Sequence, residues 1–121
     1  MTELVVFNVV VPLTNNFTRK AHPQEMIDRW VLKVVDRFGG ISVVALAQEG
    51  RWYDRDLPPE SDPVTDYSNL YKIGVNPGDE TVGRLRAYMR VTARYFGQKC
   101  IYFERAGEAD FIWDARRWAP V

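Results

Sequence analysis

The stretch NPGDETVGRLRAYMRVTARYFGQKCIYFERAGEADFIW, residues 76–113, decides the fold because it contains a turn, a helix and two strands in succession. The residues from Asn76 to Asp79 are typical of a turn, and Asp79 is expected to cap the helix that follows. Apolar residues then recur at helical spacing as far as Phe96, and Gly97 provides the residue that ends the helix.

Two strands are predicted to complete this segment. Residues 99–104 alternate, so Ile101 and Phe103 are expected to face the core, with Cys100, Tyr102 and Glu104 on the other side. A turn at residues 106–108 is predicted to return residues 109–113 beside that strand, whereas the tail from Asp114, with Arg116, Arg117 and Trp118, has no clear period.

The first half of the chain repeats this strand–helix–strand order. Residues 4–11 are almost continuously apolar, a pattern typical of a central strand that is covered on both faces. A helix is predicted to start at Pro23 and to end at Phe38, before Gly39 and Gly40. Residues 41–47 are predicted to form a second strand. Residues 48–53 would extend this strand to Tyr53, past a bend at Gly50.

A further strand at residues 69–75 completes the order β-α-β-β-α-β, to which the C-terminal hairpin adds one strand. The sequence therefore predicts a single α+β domain over residues 1–121 with a ferredoxin-like fold. Right-handed crossovers place both helices on one face of the antiparallel sheet. The opposite face is predicted to be open.

Two polar stretches are predicted to be loops. Residues 14–21 are expected to be mobile. Residues 54–66 contain three prolines and five acidic residues, and they exceed the usual length of a connection, so disorder is favoured. The spacing of these carboxylates does not match an EF-hand, which favours solvated charge over a calcium site.

Composition limits the classes of function. The formal net charge is zero, so a nucleic acid could bind only at a local basic patch. The protein is therefore not expected to bind nucleic acid. A single cysteine excludes an internal disulfide and favours a reducing, cytoplasmic location. Residues 1–13 lack the basic segment and cleavage site of a signal peptide, and no stretch is long and apolar enough for a membrane span.

Two local patterns resemble a small bacterial domain family of unknown function. They are RFGGISV at residues 37–43 followed by Gly50, Arg51 and Trp52, and YFGQKCI at residues 95–101. The resemblance implies a ferredoxin-like fold and brings no activity or catalytic residues.

No motif for a metal, a phosphate or a nucleophile occurs in the sequence, and no cofactor or metal is predicted. His22 is the only histidine, and a place in the loop before the first helix accounts for it better than catalysis. Basic residues recur every four positions on both helices, and a nucleic-acid backbone is a weaker alternative for them. These residues are Arg29, Lys33, Arg37, Arg86, Arg90 and Arg94.

The preferred hypothesis is a small binding or interaction module that forms a homodimer through its open sheet face, where exposed apolar residues would need cover. The outer side of the second helix, with Tyr88, Val91 and Tyr95, is a rival interface. The alternative is a small-molecule enzyme that uses Tyr102 or Glu104 in an aromatic pocket, with Trp30 and Tyr53 among its candidate walls. The candidate ligand-binding residues are Trp52, Tyr71, Lys72, Tyr102 and Glu104.

Overall fold

Strands and helices alternate along the chain in the computed structural model, which describes residues 3–105 and 107–113. The elements in chain order are β1 (Val5–Pro12), α1 (Gln24–Phe38), β2 (Ser42–Trp52), β3 (Val64–Val75), α2 (Asp79–Tyr95), β4 (Cys100–Arg105) and β5 (Glu108–Trp113). The predicted turn residue Ala106 and the tail from Asp114 lie outside the described residues.

The strands form one antiparallel sheet in the order β2-β3-β1-β4-β5, which is the ferredoxin-like arrangement with one added edge strand. The apolar strand β1 lies at its centre. Val9, for example, pairs with Tyr71 of β3 on one side and with Phe103 of β4 on the other. The predicted fold class and the central position of β1 are therefore confirmed.

The core lies between the sheet and the two helices. Trp30 of α1 contacts the Tyr71 ring on β3, with ring centroids 5.2 Å apart, and its indole N–H donates to Thr92 of α2 at 3.0 Å. The Thr92 hydroxyl in turn donates to the Tyr88 carbonyl. This chain of contacts joins both helices to the middle of the sheet. It also buries Tyr88, which was predicted to be exposed, against the Phe38 ring.

The helix ends follow the sequence closely, with one correction. Pro23 directly precedes α1, and Gly39 ends it in the left-handed conformation with φ 94°. Asp79 does not cap α2, because it is the first residue of the helix and Gly78 precedes it without a side-chain capping bond. The Asp79 carboxylate still lies in the first turn, where the helix dipole favours negative charge.

Three segments differ from the sequence-based expectation. β2 shifts register between Val43 and Gln48, with Ala47 at φ 50°, so its irregularity precedes Gly50. β3 begins at Val64, which takes residues 64–66 out of the predicted loop. Residues 14–21 form a closed turn bridged by Thr14 and Ala21, where a mobile loop was expected.

Candidate functional site

The face of the sheet away from the helices presents a mixture of apolar, aromatic and polar side chains. On β1 this face carries Val6, Asn8 and Val10, which alternate with the buried Phe7, Val9 and Val11. On β4 it carries Cys100, Tyr102 and Glu104, as the alternation predicted. We call this surface the open face.

The connection between β2 and β3 reaches across the open face. Residues 53–63 form the loop that joins β2 to β3. In this loop Asp54 and Asp56 accept hydrogen bonds from the Lys99 ammonium, at 2.6 Å and 2.9 Å. Arg55, between them, places its guanidinium 3.5 Å from the centroid of the Trp113 ring on β5. The loop is therefore tied to the opposite edge of the sheet, contrary to the expectation of disorder.

The ion pair at this attachment point is buried, with 3% of the Asp54 side chain and 10% of the Lys99 side chain exposed. Burial by itself raises the pKa of Asp54, but hydrogen bonds from Lys99 and from the Asp56 N–H, together with the Lys99 charge, leave that pKa below its ordinary value. Burial likewise opposes charge on Lys99, and the two carboxylates outweigh it and raise its pKa. Both groups are charged at neutral pH.

A cavity of about 350 Å³ lies on the open face at this end of the sheet. Its volume falls within the usual range for a small-molecule site. The residues that line it come from every strand and from the turns at the strand ends: Val10, Pro12, Asn16, Gly50, Arg51, Trp52, Asp66, Ser68, Gln98, Cys100, Tyr102 and Phe111. We call it the open-face cavity.

The walls of the open-face cavity combine aromatic rings with a buried carboxylate. Tyr102 and Phe111 pack edge to face, with ring centroids 5.5 Å apart, on the β4–β5 side. On the β2–β3 side, the Trp52 indole N–H donates to Asp66 at 2.5 Å, and Asp66 is buried. Aromatic faces and a carboxylate together suit a planar ring and a cation.

Two amide side chains, Asn16 and Gln98, line the cavity where the strands end. The Asn16 side-chain oxygen accepts a hydrogen bond from the Lys99 backbone N–H at 2.9 Å. The amino group of the Asn16 side chain therefore points away from Lys99. Asn16 is only 9% exposed, and that amino group has no hydrogen-bond partner in the part of the chain that the structure describes. A buried donor without an acceptor is uncommon and calls for an explanation.

The turn that carries Asn16 is built by its neighbour. The Asn15 oxygen accepts the N–H groups of Phe17 and Thr18, which closes the turn. The Asn15 side chain also lies directly over Gly97, where φ is 59° and no Cβ would fit. The Asn16 N–H donates to the Gly97 carbonyl, so Gly97 and Lys99, in the segment between α2 and β4, hold Asn16 in place.

A fixed carboxylate adjoins the cavity on the open face. Glu104 accepts hydrogen bonds from the Asn8 amide and the Tyr102 hydroxyl, each at 3.0 Å. The hydrogen bond to Glu104 is the main cause of a raised pKa of Tyr102, with smaller contributions from burial and from the Glu104 charge. Tyr102 therefore acts as a hydrogen-bond donor at neutral pH. Glu104 does not line the cavity itself but bonds to Tyr102, which does.

Cys100 also lines the cavity. Burial raises the pKa of its thiol to about 11, so the group is protonated at neutral pH. A nucleophilic cysteine needs a lowered pKa. The arrangement indicates a packing role for Cys100 in the cavity wall.

The structure brings together only part of the predicted ligand-binding set. Trp52 and Tyr102 line the cavity, and Glu104 contacts Tyr102. Lys72 lies on the open face but in a separate depression near the opposite end of the sheet. Tyr71 lies on the helix side, buried in the core, where its hydroxyl accepts the Asn69 amide. Of the other candidate wall residues, Trp30 is in the core and Tyr53 is exposed.

Sequence reasoning missed Asn16, Asp66, Gln98 and Phe111. Asp66 was assigned to the acidic loop, and its alternation with Ser68 and Leu70 on an extended third strand is the signal that places it on the open face. Asn16 carried no such signal, because its position depends on contacts with residues more than eighty positions away.

The remaining candidates do not form a site in the structure. The His22 ring packs against Phe96, and burial lowers its pKa more than a hydrogen bond to the Pro12 backbone raises it. Within the described ranges, no cluster of acidic, cysteine or histidine side chains could hold a metal ion.

The basic residues of the helices are in part engaged within the protein. The Arg86 guanidinium pairs with Asp110 on β5, and the Arg37 guanidinium lies over the Tyr88 ring. No helix in residues 3–105 or 107–113 has the length and apolar character to cross a bilayer.

Comparison with known proteins gives structural neighbours only. No family model and no curated protein matches the chain, so the resemblance to a small bacterial family stays a prediction. Among solved structures, the chain is similar to a phage SAM lyase in complex with S-methyl-5'-thioadenosine, with a TM-score of 0.68 and 17% identity over 95% of this chain and 93% of that one. A phage SAM lyase in the apo state matches with a TM-score of 0.61 and 16% identity, over 89% and 87% of the two chains. At this identity the likeness shows the fold.

Proposed function

We propose that the protein binds S-adenosylmethionine (SAM) in the open-face cavity and cleaves it to S-methyl-5'-thioadenosine. The observation that carries this proposal is the pairing of aromatic walls with the buried Asp66 carboxylate in one cavity of suitable volume. SAM contains a planar adenine and a sulfonium cation, which are the two chemical groups that such walls favour. The likeness of the whole chain to a phage SAM lyase supports the same choice of ligand.

In the proposed reaction the carboxylate of the substrate's methionine portion attacks its own Cγ atom, so that a C–O bond forms as the bond between Cγ and the sulfonium sulfur breaks, and homoserine lactone is the second product. The bonding electrons pass to sulfur, so the positive charge of the sulfonium is lost as the bond breaks. Surroundings that replace water with aromatic carbon favour a reaction that removes charge. In this proposal Trp52 and Tyr102 exclude water from the sulfonium, and Asp66 attracts the cationic end of the substrate.

Incubation of the purified protein with SAM tests the proposal, with S-methyl-5'-thioadenosine measured by liquid chromatography and mass spectrometry. We expect product to accumulate faster than in a control without protein. Trp52→Ala should lower the rate by about 10-fold or more, because it removes one aromatic wall and the N–H bonded to Asp66. Lys72→Ala, on the open face outside the cavity, is the matched control and should leave the rate unchanged.

Product formation at the rate of the control without protein contradicts the proposed cleavage. Titration calorimetry with S-methyl-5'-thioadenosine measures binding separately, so that a protein that binds without cleaving is recognised. The proposed setting for this activity is a reducing cytoplasm, in keeping with the single unpaired Cys100.

A second proposal concerns assembly. Leu4 and Val6 lie on the open face at the end away from the cavity, and they are 56% and 46% exposed. Exposed apolar side chains side by side on a sheet favour a second copy of the chain as cover. Light scattering at micromolar concentration should therefore give the mass of a dimer, and Val6→Lys should shift it to that of a monomer. A monomeric mass for the unsubstituted protein contradicts this proposal.

A further inference from the structure

The two amide side chains at the strand ends offer complementary hydrogen-bonding groups. The Asn16 oxygen is taken by the Lys99 N–H, which leaves the Asn16 amino group as a donor. Both amide protons of Gln98 are donated, to the Thr14 carbonyl at 2.6 Å and the Phe96 carbonyl at 2.9 Å. The group that Gln98 has left to offer is its carbonyl oxygen, an acceptor.

Asn16 and Gln98 both line the open-face cavity, and they lie close together because Asn16 bonds to Gly97 and Lys99, on either side of Gln98. A flat ring that lies against aromatic faces meets an adjoining polar wall with its edge. The edge must then present an acceptor to Asn16 and a donor to Gln98. Adenine carries this pair, since its N1 atom accepts a hydrogen bond and its 6-amino group donates one.

We infer that Asn16 and Gln98 select adenine over other purines, with the Asn16 amino group donating to N1 and the Gln98 oxygen accepting from the 6-amino group. This inference rests on the proposed function, because it assumes an adenosyl ligand in the cavity. It assigns to Asn16 a role that explains its buried, unpartnered donor. It also gives a reason for the two hydrogen bonds, to the Gly97 carbonyl and from the Lys99 N–H, that hold Asn16 against the segment between α2 and β4.

Hypoxanthine provides the matched probe. It has the same shape as adenine, but it carries a hydrogen on N1 and an oxygen in place of the 6-amino group, so donor and acceptor are exchanged. S-methyl-5'-thioadenosine and S-methyl-5'-thioinosine are both uncharged. A difference in their affinities therefore reports the edge of the base without a contribution from the sulfonium.

The experiment measures the dissociation constants of both nucleosides by titration calorimetry, for the unsubstituted protein and for Asn16→Asp. The unsubstituted protein should prefer the adenine form by about 100-fold, because two hydrogen bonds are reversed in the hypoxanthine form. Asn16→Asp keeps an oxygen for the Lys99 N–H and replaces the amino donor with an acceptor. Its preference for adenine should fall by about 10-fold or more, with tighter binding of the hypoxanthine form.

Asn76→Asp, which adds the same charge at an exposed position outside the cavity, is the control and should keep the full preference. An unchanged preference in Asn16→Asp overturns the inference, even if the protein cleaves SAM. A protein that binds both nucleosides with the expected preference but does not cleave SAM leaves the inference standing and contradicts the proposed cleavage. Failure to bind either nucleoside overturns the inference, and the SAM cleavage assay then decides the proposed function by itself.

Discussion

Side chains of β1 alternate between two environments that differ in chemistry. Phe7, Val9 and Val11 are buried against the helices, whereas Val6, Asn8 and Val10 belong to the face crossed by the 53–63 loop. On the helix side, apolar contacts fill most of the space between the layers, with the buried hydrogen bond from Trp30 to Thr92 among them. On the open face, an ion pair ties a loop to the opposite side of the sheet, and a cavity lies at the same end. The comparison indicates that one face stabilises the fold and the other is available for a ligand.

Neighbouring residues on β4 give the sharpest test of this difference. Phe103 faces the helices and stacks on Phe7 with ring centroids 4.5 Å apart, so Phe103→Ala should lower the free energy of unfolding by about 3–5 kcal/mol. Tyr102 faces the cavity, and Tyr102→Phe should cost about 1 kcal/mol, since it removes only the hydrogen bond to Glu104. Urea denaturation measures both. Equal costs would contradict the assignment of stability to the helix side.

The largest effect expected on the open face comes from the ion pair that holds the loop. Lys99→Met leaves the buried Asp54 and the adjacent Asp56 without their cation, which should cost about 3 kcal/mol in urea denaturation. Lys72→Met, also on the open face but exposed, should cost no more than about 0.5 kcal/mol. A similar small value for both variants would show that the loop is held by other contacts.

A smaller effect should follow from pH. The pKa of Asp54 is lowered from 3.8 in the folded protein, so its contribution to stability is complete above pH 3.8 and is lost as the pH falls through the folded value. The pKa of Lys99 is raised from 10.5, so its contribution is complete below pH 10.5 and is lost as the pH rises through the folded value.

The difference in unfolding free energy between the unsubstituted protein and Lys99→Met should therefore be constant between about pH 5 and pH 9 and should shrink in acid. Urea denaturation of both proteins across this range provides the measurement. A difference that stays constant down to about pH 2 would contradict the role of Asp54 as the charged partner of Lys99.

The helix-side core could be predicted from the sequence because its signals are local. Apolar spacing in α1 and α2 and alternation in β4 each depend on residues a few positions apart, and Leu85, Met89 and Ala93 are buried as that spacing predicts. The same reasoning placed Tyr102 and Cys100 on the opposite face. The fold follows from these periods and from the order of the elements.

The cavity could not be predicted in this way because its parts meet only after folding. Trp52 bonds to Asp66 fourteen positions away, and Lys99 bonds to Asp54 forty-five positions away. Proline and acid content in residues 54–66 indicated a disordered loop, since no local pattern records that a lysine near the other end of the chain would hold it. Polar contacts between distant residues leave no period in the sequence.

The place of Cys100 in the cavity wall has a practical consequence. It is the single cysteine of the chain, and with a pKa of about 11 only a small fraction of it is thiolate at neutral pH. Iodoacetamide should therefore modify it slowly, and a ligand that fills the cavity should slow the reaction further. The mass added at this one sulfur thus provides a native reporter of occupancy that needs no engineered label.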